Sequence, residues 1–438
     1  MIHFRKQLIS CFVLLALLNL TFITYVQASP AIWEESYGGE NSDFASAMVQ
    51  TSDGGYAITG FTTSFGAGKD DVWLVKTDAT GNVLFNQTFG GEQYDIATAL
   101  VETSDGGLVI AGSTSSFGEG ANDFYLTKTD SSGNILWSYT YGGEDYDNAF
   151  CLVETSDGGL AIGGTTSSFG SGGTDYFLIK TDESGSMLWS NTYGGEDYDD
   201  FAFGLVETSD GGLAMVGSTK SYGEGLLLIK TDSTGNVSWS NTYQGFERAF
   251  CMIETSDGGL AIAGGNFEGG SMLQKARTLI IVGMDSEDFW MLKLDSQGNI
   301  LWNQTYGGDS LAYATSIVET SDGGFAIAGS ISSVGAGADD YWLVKTDPSG
   351  EMLWNQTYGG TETDNAIALV ESADGGFAIF GTTNSFGAGE YDFYLIKTDE
   401  YGYVPEFTSW TLIPLTLATT AIILLFRTKK NQSNSKLN

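Results

Sequence analysis

Two short patterns recur along this chain, each with an aspartate in a fixed place. GGExxD supplies Asp43, Asp95, Asp147 and Asp199. SFGxGxxD, with its variant SVGxGxxD, supplies Asp71, Asp123, Asp175, Asp340 and Asp392. Carboxylates set among glycine carbonyls are hard oxygen donors suited to calcium, so a ring of calcium or other cation sites is one expectation. The competing expectation is that each aspartate accepts backbone hydrogen bonds and shapes its own loop, as Asp commonly does without any ligand. No twelve-residue calcium loop accompanies them. Calcium is the one cofactor that the residues suggest.

A second group of candidates comes from departures. The fourth SFG loop is shortened to KSYGEG, and the next connection reads YQGFERAF where others read YGGEDYDNAF. The following loop is then about 13 residues longer than in the 52-residue repeats. Together these changes bring Lys220, Arg248, Lys275 and Arg277 onto an otherwise acidic face. Loops carry function more often than scaffolds do, so an anionic ligand or a partner is expected there, with drift in one repeat as the alternative. Catalytic groups are scarce. The only histidine is His3, near the N-terminus, which removes a His base, a Ser-His-Asp triad and His-ligated metal from the remainder of the chain. No phosphate-binding loop is present.

Composition narrows the partners. Between residues 30 and 404 there are 12 basic and 54 acidic residues, so nucleic acid would be repelled. Cations, basic surfaces and neutral glycans fit better. Cys151 and Cys251 occupy equivalent places two repeats apart, in AFCLVETSDGG and AFCMIETSDGG, and are expected as buried free thiols. The recurring Lys-Thr-Asp (Lys76, Lys128, Lys180, Lys230, Lys345, Lys397) is expected to pair with a nearby carboxylate. Sequons at Asn86, Asn236, Asn303 and Asn355 fall on the expected fourth strands and are glycosylation candidates if the chain is exported.

The elements that position these residues follow from the repeat. Asp-Gly-Gly recurs with its Asp at 53, 105, 157, 210, 257, 322 and 374, a period near 50 that indicates propeller blades. In one unit the runs IATALVE, LVIAGSTS, DFYLTKT and ILWSYTY read as four strands, joined by the tight-turn signals SDGG and DSSGN. First strands are Ala-rich, as expected where blades converge. Six fourth strands of the WxxTYGG type are present, and the seventh repeat stops before its own. AIWEESYGG, around Trp33, supplies it from the start of the chain and closes the ring without an open edge. The fold class expected is all-β: a seven-bladed propeller of four-stranded blades over residues 31–400.

The ends read as addresses. Residues 1–28 have Arg5 and Lys6 before an apolar stretch and end Val26-Gln27-Ala28, as in a signal peptide; a retained anchor is the alternative. Residues 401–409 form a linker, 410–426 are uncharged and read as a short membrane span, and 427–438 begin a basic cytoplasmic tail with Arg427, Lys429 and Lys430.

Two resemblances bear on this reading. Pro405-Glu406-Phe407 before the apolar run resembles the PEF-type sorting signal of archaeal surface proteins, with Thr408 where a second proline often stands. That resemblance implies processing by a membrane sortase. The repeat, with WxxTYGG, DGG and KTDxxGN, resembles that of secreted prokaryotic surface propellers, and DxxGNxLW is similar to the hairpin of quinone-cofactor propellers. The first implies a surface or exported propeller. The function expected is therefore a cell-surface anchored, non-enzymatic protein that binds a surface protein, a glycan or envelope material. The alternatives are a carboxylate- or cation-dependent polysaccharide-acting enzyme, a quinone-dependent dehydrogenase, and a passive envelope spacer.

Overall fold

In a computed structural model of the protein, residues 32–404 are described except 197, 247, 268–285, 308–310, 333 and 336. The expected signal peptide, PEF motif, membrane span and tail lie outside them, as does most of the lengthened fifth loop with Lys275 and Arg277. Among the described residues, 28 strands form seven four-stranded sheets. The first blade runs through Asp43–Gln50, Tyr56–Thr62, Asp71–Thr77 and Val83–Phe89. Five more repeat this order, with inner strands Asp95–Glu102, Asp147–Glu154, Asp200–Glu207, Arg248–Glu254 and Ala312–Glu319. Blade seven takes Asp364–Glu371, Phe377–Thr383 and Asp392–Lys397 from the end of the array and Trp33–Tyr37 from its start. The first and last of these strands in the chain pair antiparallel, Trp33 opposite Lys397 and Tyr37 opposite Phe393. Closure by both ends is thus found as the repeat pattern requires.

Burial follows from each blade being sandwiched between two others. The second and third strands of the first blade are buried along their whole length, whereas its outer strand is mostly exposed. The core lies between blades rather than within one. Tyr56, Ile58 and Trp73 of blade one pack with Phe380, Phe393 and Leu395 of blade seven in a single cluster. Inner-strand Ala97, Ala149, Ala202, Ala249, Ala314 and Ala366 are fully buried where no larger side chain would fit.

Polar ties staple each blade to the next. At the rim, tyrosines ending the outer strands donate to a turn carbonyl of the following blade: Tyr37 to Gly81 at 2.7 Å, Tyr243 to Gly298 at 2.6 Å, Tyr306 to Gly350 at 2.7 Å. Gly81 has φ +83, and a Cβ there would lie 2.8 Å from the Trp33 ring, so both backbone and packing demand glycine. On the SDGG face, serine amide and hydroxyl of one blade bind a glutamate of the next, as Ser52 binds Glu102 and Ser156 binds Glu207. The seam between blades seven and one has Ala373 and Gln50 in these places, and Tyr56 Oη meets Ser372 Oγ at 3.3 Å instead.

Candidate functional site

The chain offers two faces, and the SDGG face is consumed by structure. Each blade pairs a buried lysine with its own turn aspartate, from Lys76–Asp53 at 2.9 Å to Lys397–Asp374 at 2.9 Å. Lys293 joins the series through Lys-Leu-Asp, a variant that the Lys-Thr-Asp pattern passes over. The Lys128 ammonium holds the Asp105 carboxyl down to about 2, and Lys230 does the same for Asp210.

On the opposite face the recurring aspartates meet in pairs. At five of the seven junctions among the described residues, an aspartate at the start of a third strand and the first residue of the next blade's inner strand converge on the glycine that follows the intervening outer strand. Asp392 and Asp43 flank Gly38, Asp71 and Asp95 flank Gly90, and Asp123 and Asp147 flank Gly142. Asp175 and Asp200 flank Gly194, and Asp340 and Asp364 flank Gly359. A Cβ at Gly194 would strike Asp175 Oδ1 and lie 3.0 Å from Asp200 Oδ2, so the two oxygens are within roughly 5 Å of each other. All ten carboxylates are at most 2% exposed.

Their hydrogen bonds are mostly to the loops that they shape. Asp123 Oδ2 accepts from Glu119 N at 2.8 Å and Asp175 Oδ2 from Ser171 N at 2.7 Å. Asp95 accepts from Gly91 N at 2.7 Å, from Ser116 Oγ at 2.6 Å and from Thr114 Oγ1. Blade six tests that last pairing. Ala312 stands where the inner-strand aspartate would be, and Ile331 faces it in the place of the threonine. Partner and acceptor are lost together, as expected of a structural bond.

Among these carboxylates, Oδ1 of Asp147, of Asp175 and of Asp392 is buried without a hydrogen-bond partner. Burial raises the Asp175 carboxyl above the usual range, and the Asp200 and Asp199 carboxylates raise it further; burial and then Asp43 act likewise on Asp392. Among the described residues no three His, Cys, Asp or Glu side chains are grouped to hold a metal ion. A carboxyl whose pKa is higher folded than unfolded weakens the fold as pH rises from the unfolded value near 3.8 through the folded one. Asp175→Asn is therefore expected to gain stability relative to the parent between about pH 4 and pH 7, read by thermal unfolding at both pH values. The opposite trend, with a calcium-dependent rise in Tm for the parent alone, would assign the pair to a cation.

The expected residues separate as follows. Eight of the nine aspartates proposed for cations sit in these pairs, but Asp199 does not. The connection into blade four has one extra residue, so Asp200 takes the inner-strand place opposite Thr219, whose Oγ1 donates to it at 2.5 Å. Asp199 is half-buried and accepts from Thr174 N at 2.9 Å. Lys220 is exposed after the second strand of blade four, and Arg248 is half-buried at the start of blade five, both on the aspartate face. In the same junction Gly225 replaces the third-strand aspartate and Gln244 replaces the pinched glycine. Asn86, Asn303 and Asn355 are exposed on outer strands; Asn236 instead belongs to the turn before one, bonded to Asp232 at 3.1 Å. Cys151 and Cys251 are free, and burial pushes both thiols up to about 12.

A feature not anticipated is a circle of exposed aromatic rings on the aspartate face. Phe65, Phe117, Phe169, Tyr222 and Phe386 occupy the same loop place in five blades and are 40% to 54% exposed. Tyr94, Tyr146 and Tyr198 add to them from the neighbouring connections. The signal was an aromatic repeated inside a Gly-Ser loop.

No family model matches the chain. The regulatory protein FlaEY of Caulobacter vibrioides is 30% identical over 154 residues, which cover 32% of this chain and 16% of that protein. Among solved structures, the WD40 β-propeller domain of Doa1 superposes with a TM-score of 0.52 at 12% identity, over 83% of this chain and 95% of that one. A streptogramin B lyase gives 0.52 at 14%, over 85% and 100%. A catalytically inactive virginiamycin B lyase from Staphylococcus aureus, with quinupristin, gives 0.51 at 12%, over 83% and 99%. Such identities speak for fold alone. The chain is an all-β, seven-bladed propeller of four-stranded blades, an architecture shared with proteins of quite different roles.

Proposed function

We propose that this protein is a non-enzymatic binding module held at the outside of a cell, engaging a surface protein, a glycan or envelope material through its aspartate face. The observation that supports this reading most is the circle of exposed aromatics on that face, since solvent-facing rings in a polar loop cluster suit recognition and not folding. The SDGG face, by contrast, has its lysines and aspartates paired with each other. The apolar segments at both ends are consistent with export and anchorage.

A lyase reading is weaker. The lyase likenesses are ones of fold, and this chain has no histidine after His3. The test is retention of residues 30–404, which contain every strand of the ring, on intact cells and isolated envelope, with calcium and with chelator. Retention is expected. Its loss in chelator would implicate the paired aspartates, and no retention under either condition would sink the binding reading.

A further inference from the structure

We propose that the aspartate face takes up cationic side chains, and that its partner is a lysine- or arginine-rich segment of another protein; this rests on the binding role proposed above. The repeating element is an aromatic ring against a connection that carries an exposed glutamate. The Phe117 ring packs on Tyr125 with centroids 6.1 Å apart, and that of Phe169 on Phe177 at 5.4 Å, so each is held firmly from beneath while the loop side faces solvent. Each ring also leans over a glycine of the adjoining connection: a Cβ at Gly91 would come 3.3 Å from Phe117 Cζ, and one at Gly143 3.3 Å from Phe169 Cζ. The residues that follow these glycines, Glu92 and Glu144, are exposed.

A fixed ring face beside a carboxylate attracts an ammonium or guanidinium twice, through the ring quadrupole and through charge. The same face already holds one cation over an aromatic ring, on a tyrosine of a connection between blades. Lys69 Nζ sits over the Tyr94 ring, 4.5 Å from its centroid, at the junction of blades one and two. The next junctions are built alike, with Asp95 N donating to Asp70 O at 2.9 Å and Asp147 N to Asn122 O at 2.9 Å. There the place of Lys69 is taken by Ala121, and in the third by Gly173. The surplus of 54 acidic over 12 basic residues between 30 and 404 favours a cationic partner over a neutral glycan, which would gain from the rings but nothing from the charge.

The test compares the purified protein with a Phe117→Leu/Phe169→Leu variant, which keeps apolar packing and removes the π faces; circular dichroism and Tm establish that it is folded. The probes are an oligolysine peptide, its Nε-acetylated form, a trimethyl-lysine peptide and a neutral glucan oligosaccharide. Oligolysine and the trimethylated peptide are expected to bind, more weakly as salt rises, and the acetylated peptide is not. The variant is expected to bind oligolysine roughly fivefold more weakly. Equal binding by parent and variant would overturn the proposal in favour of diffuse charge, as would equal binding of the acetylated peptide. Binding of the glucan alone would overturn the cationic partner yet leave the binding face standing. Retention on cells without oligolysine binding has the same meaning, and failure of both removes both.

Discussion

A chain that begins at Gly38, without the strand Trp33–Tyr37, is expected to lose on the order of 5 kcal/mol or more of stability and to unfold without a single cooperative transition. The strand carries five antiparallel pairs with Asp392–Lys397. Tyr37 is buried and donates to Gly81 O, Trp33 packs edge-on against Tyr56 at 5.9 Å, and Glu34 accepts from Tyr394 Oη at 2.7 Å. Each of these contacts joins blade seven to itself or to blade one, so their loss opens the ring at one seam and bares a strand edge. That seam is also the one where Ala373 and Gln50 replace the serine–glutamate clamp of the other junctions.

The same geometry predicts a rescue. The turn that should precede the missing strand is already formed after Lys397, with Gly402 N bonded to Asp399 O at 3.1 Å and Tyr358 Oη to Gly402 O. In blade three Trp189 pairs with Lys180 as Trp33 pairs with Lys397. Moving residues 32–37 to follow Val404 therefore restores the spacing of an ordinary outer strand. Such a permuted chain is expected to recover a cooperative melt close to the parent's. Calorimetry of the three chains decides it, and a truncated chain that melts like the parent would show that the strand is dispensable.

The ring was readable because each of its determinants is local. Turn glycines such as Gly81 and Gly402 sit at a fixed distance from their strands, and the lysine–aspartate pairs join residues within one repeat. The closure was readable because an outer strand stood alone at the start of the chain and was missing at the end. What escaped the sequence lies between blades. Ser104 reaches Glu154, and Tyr306 reaches Gly350, across one whole repeat. A pattern that shows each residue once per repeat does not say that it bonds to the next copy. The aspartates illustrate the limit. Their recurrence suggested a common role, yet only neighbouring blades in place bring Asp123 of one against Asp147 of the next around Gly142. A single inserted residue sufficed to shift the inner-strand aspartate of blade four from Asp199 to Asp200. The exposed ring of Phe65 could equally have been a buried loop anchor, since one of its sides does pack on Trp73 at 5.2 Å.

The glycine between two carboxylates gives the second large effect. Gly194→Ala is expected to destabilise the protein by about 3 kcal/mol or more, read from urea unfolding, because the new methyl has nowhere to go. It would overlap Asp175 Oδ1 and press on Asp200 Oδ2, and both aspartates are fixed from behind by Ser171 N and Thr219 Oγ1. Turning either carboxylate aside breaks those bonds inside the fold, where an unpaired acceptor is costly. The junction of blades four and five already carries the compensated version. Gly225 stands where the third-strand aspartate would, and there the chain tolerates Gln244 in the place of the glycine. Gly194 is thus set by Asp175 and not by its own backbone, for which no left-handed φ is needed. Asp175→Gly combined with Gly194→Ala should lose less than the sum of the two single changes, with a coupling of about 1–2 kcal/mol. Strict additivity would mean that the two residues do not press on each other, and the account of why this glycine recurs would fall.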